Sequence, residues 1–376
     1  MFKHRLFEVD ILRGLTFLAI VMQHTLASFI YNPQLTMGPA LVSAFLLVTI
    51  RYAVPMFIFI TGLVLFYNHS DEGFRYPEFI KKRFIQIFIP YAVWTVIYYF
   101  WPGGRAGGDI YKILADIGKL MLNGDACYHL WFMVAIMQFY LLFPFFRWMV
   151  LKLRNQAALT LSLLLLLYLA LMWFNTYQAP ALYEQIHAPW LKTLLEYRDR
   201  LFLTWFFYFV LGGYAGLYAR NLRNILASLQ RVNLYVFLLS FVLVLGAVVK
   251  TGRTDPAGHY TMNFLFTLPL TPAMVVYLVS SLITIYYLSL TFFMKNQLLN
   301  RVLKTYGRYS YGCYFVHAMV LYYANTFITA YLPSASPVLQ LGLVFTVCAV
   351  ISLLACYLMS RLPIPLANVL VGKISN

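Results

Sequence analysis

The sequence predicts an all-α bundle of about ten transmembrane helices with both termini cytoplasmic, and three observations predict it. Of 376 residues, 62% are apolar and only 11% are charged, too little charge to cover a water-soluble globule of this size. Apolar stretches of about 18 residues or more, the length that carries a helix across a hydrocarbon core, recur from one end of the chain to the other. None of them shows the period-2 alternation of barrel strands, and in lipid every backbone group has to be satisfied internally, which leaves helices.

The elements follow in order. The first stretch, 9–31, comes after a short basic cluster, contains Arg13 and His24, and lacks a small-residue cleavage site, so it is expected to remain as a helix. The second, 39–67, has Arg51 in its middle, four residues before Pro55. The third, 84–101, opens behind Lys81-Lys82-Arg83 and includes Ile89-Pro90-Tyr91, and the fourth, 130–146, begins at Tyr128-His129-Leu130-Trp131. Stretches 157–174, 201–219, 232–249 and 268–293 carry no charge. The ninth, 309–332, follows Arg308 and holds Ser310, Tyr314 and His317, and 338–359 closes the series. Two outer segments, 102–129 and 175–200, mix charge with aromatic residues and are expected to form a small external cap with short helices. With no repeat and no linker, residues 1–376 read as a single transmembrane domain.

Charge sets orientation and excludes one class of partner. The net charge of +16 comes from 28 Lys and Arg against 12 Asp and Glu, but the cations are spread through loops and form no single face, which argues against nucleic acid. In a ten-span arrangement Lys3, Arg5, Arg75, Lys81, Lys82, Arg83, Arg147, Lys152, Arg154, Arg220, Arg223, Arg231, Lys295, Arg301, Lys304, Arg308, Arg361 and Lys373 all fall on one side. The positive-inside rule makes that side cytoplasmic. The four cysteines, at 127, 313, 348 and 356, form no CxxC pair and have no suitably spaced histidine, so neither a disulfide framework nor a metal site is expected.

Polar residues at membrane depth are costly and persist mainly where they meet a cavity or a partner. Arg13 and His24 are eleven residues apart, which on a helix returns the second side chain to within roughly 20° of the first and about 17 Å farther along. They share one stripe at different depths. Arg13 can snorkel or pair with Asp10, and His24 can make an interhelical hydrogen bond; alternatively both face a long, thin ligand. No acidic residue lies deep in a span to neutralise Arg51, leaving carbonyls freed by Pro55 or an anionic or carbonyl ligand. Lys81, Lys82, Arg83 and Arg308 stand at cytoplasmic helix mouths, where they anchor orientation or clamp phosphate. Ser310, Tyr314 and His317 fall at i, i+4 and i+7 on one face, suited to packing or to a site, and His129 sits in an aromatic segment near the depth of His24.

Asp10-Ile11-Leu12-Arg13-Gly14 with His24 resembles the first-helix signature of the acyltransferase family 3 membrane proteins. Supporting pieces occur in the family's order: Val54 to Gly62, Lys82-Arg83 with Ile89-Pro90-Tyr91, His129-Leu130-Trp131-Phe132, and Tyr309 to His317. Where the family usually has Ser before the glycine, this chain has Thr61, which keeps a hydroxyl. The resemblance implies ten helices in the cell membrane, a cytoplasmic acyl-CoA donor, and O-acylation of a hydroxyl on an exopolysaccharide or lipid-linked glycan. On that reading acetyl-CoA is a co-substrate and no metal is needed. Its phosphates dock on Arg13, Lys81, Lys82, Arg83 and Arg308, with Tyr91 beside them, and its flexible arm spans the roughly 17 Å to His24.

His24 is then the general base that takes the acceptor's hydroxyl proton. Arg51, Trp131 and Tyr314 are the donors considered for charge on the carbonyl oxygen, and His129, Ser310 and His317 contact the acceptor. Direct transfer is preferred over a covalent acyl intermediate on His24 or a hydroxyl. Acyl length, acceptor and oligomeric state, including a homo-oligomer, stay open. The competing expectation is a secondary transporter or flippase for a glycan or lipid-linked sugar, although the deep spans lack the carboxylates that couple ions.

Overall fold

Proline fixes where these helices break, and glycine fixes where they touch. The computed structural model describes residues 6–30, 35–101 and 108–372. Lys3, Arg5 and Lys373 of the charge balance, residue 31 of the first predicted span and residues 102–107 of an outer segment lie outside the described residues.

The chain runs α1 (Phe7–Ile30), α2 (Met37–Ile50), α3 (Ala53–His69), α4 (Tyr76–Arg83), a π-helical turn (Phe84–Phe88), α5 (Ile89–Phe100), α6 (Ile110–Asn123), α7 (Trp131–Leu141) and α8 (Phe143–Lys152). There follow α9 (Ala157–Trp173), a second π turn (Phe174–Gln178), α10 (Ala179–Gln185), α11 (Pro189–Glu196), α12 (Phe206–Leu217) and α13 (Leu222–Val249). A two-stranded hairpin, Arg253–Thr254 with Tyr260–Thr261, precedes α14 (Pro272–Leu288), a third π turn (Ser289–Phe293), α15 (Gln297–Tyr331), α16 (Pro337–Met359) and α17 (Pro365–Leu370).

Each of the ten predicted stretches falls mainly on helix, so the molecule is an all-α membrane bundle. By length and composition six helical spans among the described residues suffice to cross a bilayer, and the α7–α8 pair, bent by 57°, makes a seventh if taken as one span. The remaining predicted crossings fall on α5 and α12, of 12 residues each, and on α15, which is long but polar. Burial divides the spans. More than half of the apolar windows of α1, of α2–α3 and of α14 is buried, against 17% for the α9 span and 22% for α13, which turn Leu and Val outward as lipid-facing helices do.

The breaks have local causes. The predicted second span is interrupted between α2 and α3 at Arg51-Tyr52, because Pro55 has no N–H to give the carbonyl four residues back, and Arg51 N–H donates instead to Val48 O at 3.2 Å. Pro90 does the same to Gln86, and the π turn Phe84–Phe88 lies there. The segments expected outside carry α6, α10 and α11 and are joined through an Arg200–Asp125 ion pair of 2.7 Å.

Candidate active site

Two glycines bring two arginines together. A Cβ on Gly14 of α1 would lie less than 3.0 Å from the carbonyl of Leu303, and one on Gly307 of α15 equally close to the carbonyl of Asp10, so the two backbones cross in direct contact. Arg13 and Arg308 stand next in sequence to these glycines and are delivered to the same cavity. A second crossing, of α3 on α12 through Gly62, Gly212 and Gly216, places Thr61 in that cavity's wall. The third cation, Arg83, comes from the end of α4.

The cavity measures about 310 Å³ and is half open; Gln86, Tyr140, Ser310, Tyr311 and Tyr314 complete its polar lining, with Phe57, Phe132 and Ile136 among the apolar residues. Arg83 donates to Gln86 Oε1 at 3.1 Å and lies over the rings of Phe79 and Tyr140, each 5.3 Å from the guanidinium carbon. The Gln86 carbonyl released by Pro90 accepts the Tyr311 hydroxyl at 2.9 Å, which ties the π turn to α15. The Arg83 Nε is buried with no hydrogen-bond partner among the described residues. Three guanidiniums around one opening suit a polyanion.

Beyond Tyr314 the character changes. The Tyr314 hydroxyl donates to the backbone carbonyl of His129, and the His129 ring packs 5.0 Å from the Tyr314 ring and 4.8 Å from that of His317. His24 lies 5.4 Å from His317 and 4.7 Å from Tyr128. Three imidazoles from α1, α15 and the turn before α7 therefore adjoin, with no Lys, Arg, Asp or Glu among these ring contacts. His129 and His317 are buried, and His24 is half-buried. His317 Nδ1 is 2.6 Å from the Tyr314 carbonyl, so that nitrogen carries the proton. Its Nε2 and both ring nitrogens of His129 have no hydrogen-bond partner among the described residues. No group of three or more His, Cys, Asp or Glu among the described residues is disposed to hold a metal ion.

The structure thus joins Arg13, Arg83, Arg308, Ser310 and Tyr314 in the cavity, His129 and His317 beside Tyr314, and His24 against His317. Other expected site residues do not line this cavity. Lys81 and Lys82 are exposed and do not line the cavity. Tyr91 donates to the Met121 carbonyl at 2.6 Å and lines an adjoining apolar chamber. Arg51 donates through Nε and Nη2 to the Thr267 hydroxyl and lines a second cavity with Thr251, Thr261 and residues 262–265 and 268, while its charge remains within electrostatic reach of His24. Trp131 stacks on Trp205 at 5.8 Å. Sequence reasoning missed Gln86, Tyr140 and Tyr311. A lone amide inside the apolar run Phe84–Phe88 was a usable signal for Gln86, whereas the two tyrosines had none in a chain with 30 of them.

A membrane-embedded helical bundle with a cation-lined cavity and a cluster of three histidines beside it is the class that fold and site define. A family model described as an acyltransferase domain matches residues 6–361, and the chain belongs to that family, acyltransferase family 3. The chain is also 24% identical over 323 residues to a Staphylococcus epidermidis protein described as a probable poly-beta-1,6-N-acetyl-D-glucosamine export protein, covering 85% of this chain and 82% of the relative. The same protein in strain RP62A of that organism matches equally. No solved structure matches the chain significantly.

Proposed function

We propose that this membrane acyltransferase moves an acyl group, acetyl being the smallest, from cytoplasmic acyl-CoA to a hydroxyl of an extracytoplasmic or lipid-linked glycan, through ten crossings with both termini inside. The observation that carries the reading is the convergence of Arg13, Arg83 and Arg308 on one cavity next to the histidines. The nucleotide phosphates pair with the three guanidiniums, and Lys81 and Lys82 outside attract the anion without touching it. The pantetheine arm passes Ser310 and Tyr314 toward His24.

His24, neutral, takes the proton from the acceptor hydroxyl as its oxygen attacks the thioester carbon, and the C–S bond breaks to release thiolate, which takes the proton back. Arg51, Trp131 and Tyr314 stay the donors considered for the carbonyl oxygen, Tyr314 only by releasing the His129 carbonyl that its hydroxyl holds, and His129, His317 and Ser310 stay the acceptor contacts. The acceptor class draws support from the staphylococcal relative, whose printed name concerns an N-acetylglucosamine polymer.

That same name supports a second reading, export of a glycan without acyl chemistry. Purified protein with acetyl-CoA and candidate acceptors separates the two: acyl transfer releases free CoA thiol in proportion to acceptor, and export releases none. Mass spectrometry of the cell-surface glycan with and without the protein then gives the acyl group and its position.

A further inference from the structure

We propose that the apolar chamber beside the arginine cavity is a lipid site, which takes one acyl chain of an acidic membrane phospholipid and holds the lipid phosphate on Arg83. The chamber measures about 600 Å³ and lies between residues 80–91, α6 and α7. Phe84, Ile87, Phe88, Met121, Leu122 and Val134 form most of its wall. Two polar residues of the wall spend their groups on protein. Tyr91 donates to the Met121 carbonyl at 2.6 Å, and Gln138 donates to the Arg200 carbonyl at 2.7 Å and accepts from Phe202 N–H at 3.0 Å. Of the described residues that line the chamber Arg83 alone is charged, and its buried Nε has no hydrogen-bond partner among the described residues. An apolar volume that ends at a cation suits a hydrocarbon chain carrying an anion.

The membrane supplies such a molecule at the right height. Phe84, Leu122 and Leu141, all in the chamber wall, are 53%, 79% and 57% exposed, as side chains bordering lipid are. Exposed Lys81 and Lys82 directly precede Arg83, and exposed Phe84 and Ile85 directly follow it. A basic run giving way to exposed apolar residues marks the level where headgroups meet hydrocarbon. From Ile80 to Tyr91 the wall extends eleven residues, about 16 Å of helix, close to one leaflet's share of a core about 30 Å thick. That depth takes the acyl chain of a phospholipid, whereas a polyprenyl chain, which is much longer, would overrun it.

Gly118 of α6 gives the chain room. A Cβ built there meets nothing within 4 Å, although a glycine inside a helix costs stability. Three consecutive cations favour an acidic headgroup over a zwitterionic one, whose own ammonium offsets its phosphate. Arg83, Ile87 and Tyr140 belong to the walls of both the chamber and the arginine cavity, which puts the lipid phosphate at the edge of that cavity.

The test needs no acyl-transfer activity. Native mass spectrometry of the detergent-purified protein compares phosphatidylglycerol with phosphatidylcholine of identical chains, and phosphatidylglycerol carrying a diazirine in its acyl chain maps the contact. Wild-type protein should retain one phosphatidylglycerol about ten-fold more tightly than phosphatidylcholine, and the label should fall within 80–91, 118–122 and 134–141. Gly118→Leu, which fills the chamber, should lower phosphatidylglycerol binding about ten-fold with Tm unchanged. Arg83→Gln should narrow the preference between the two lipids to about three-fold. Equal retention of the two lipids by wild type, a label elsewhere, or a folded Gly118→Leu protein that binds as wild type does overturns the proposal. So does displacement of the label by a polyprenyl phosphate or palmitoyl-CoA at concentrations where unlabelled phosphatidylglycerol leaves it in place. The wild-type preference and label stand whether or not the variants fold.

Discussion

The arginine cavity and the histidine cluster share two helices, α1 and α15, and Tyr314 touches both, yet they are built on opposite terms. Arg13, Arg83 and Arg308 line one cavity, and Arg83 there has the Gln86 amide and the rings of Phe79 and Tyr140 as neighbours. One turn farther along α15 from Tyr314, where rings close on rings, the polar groups are imidazoles and phenols. The difference follows from solvation: a permanent cation needs water or a counterion, while an imidazole survives burial by staying neutral. On the proposed acyl transfer it also separates two tasks, holding an anionic donor and moving a proton, and so makes the two regions separable by mutation.

The largest expected effect lies in the inner region. His24→Ala should reduce turnover by about three to four orders of magnitude while acetyl-CoA affinity, measured by isothermal titration calorimetry, stays within two-fold. Equal losses in binding and turnover would dissolve the separation. Gly307→Leu should damage both regions together, because its side chain has to displace the Asp10 backbone; lower yield and a Tm drop in detergent, with loss of binding and turnover, are the readout. Arg83→Ala should weaken acetyl-CoA binding about 10- to 100-fold and leave kcat at saturation within a few-fold, and Arg83→Lys should recover only part of it. Gln86→Ala, which removes one hydrogen bond to Arg83, should cost about three- to ten-fold in the same affinity. The double change of Lys81 and Lys82 to Ala should be smallest, within about two-fold at physiological salt, since neither lines the cavity.

Much of this was legible before any coordinates. Ten apolar stretches fall mainly on helix, six of them long and apolar enough among the described residues to cross a bilayer and a seventh as a bent pair, and Arg13 and His24 lie on one helix as the sequence spacing requires. The run Lys81-Lys82-Arg83 shows the limit. Sequence treated it as one cluster, but consecutive helical residues point about 100° apart, and only Arg83 turns inward. Arg51 was visible as a cation needing a partner, yet that partner, Thr267, is 216 residues away and no periodicity points to it.

The sequence by itself determined the membrane setting, the helical class, the family and the cations and histidines available for chemistry, because each of these depends on local composition, spacing or motif. Tertiary structure alone decided which of those groups meet. Gly14 and Gly307 let two backbones cross without side chains between them, and Pro90 frees a carbonyl that α15 captures. Contacts between helices far apart in the chain are set by such shape complementarity, which one-dimensional order does not encode at any single position.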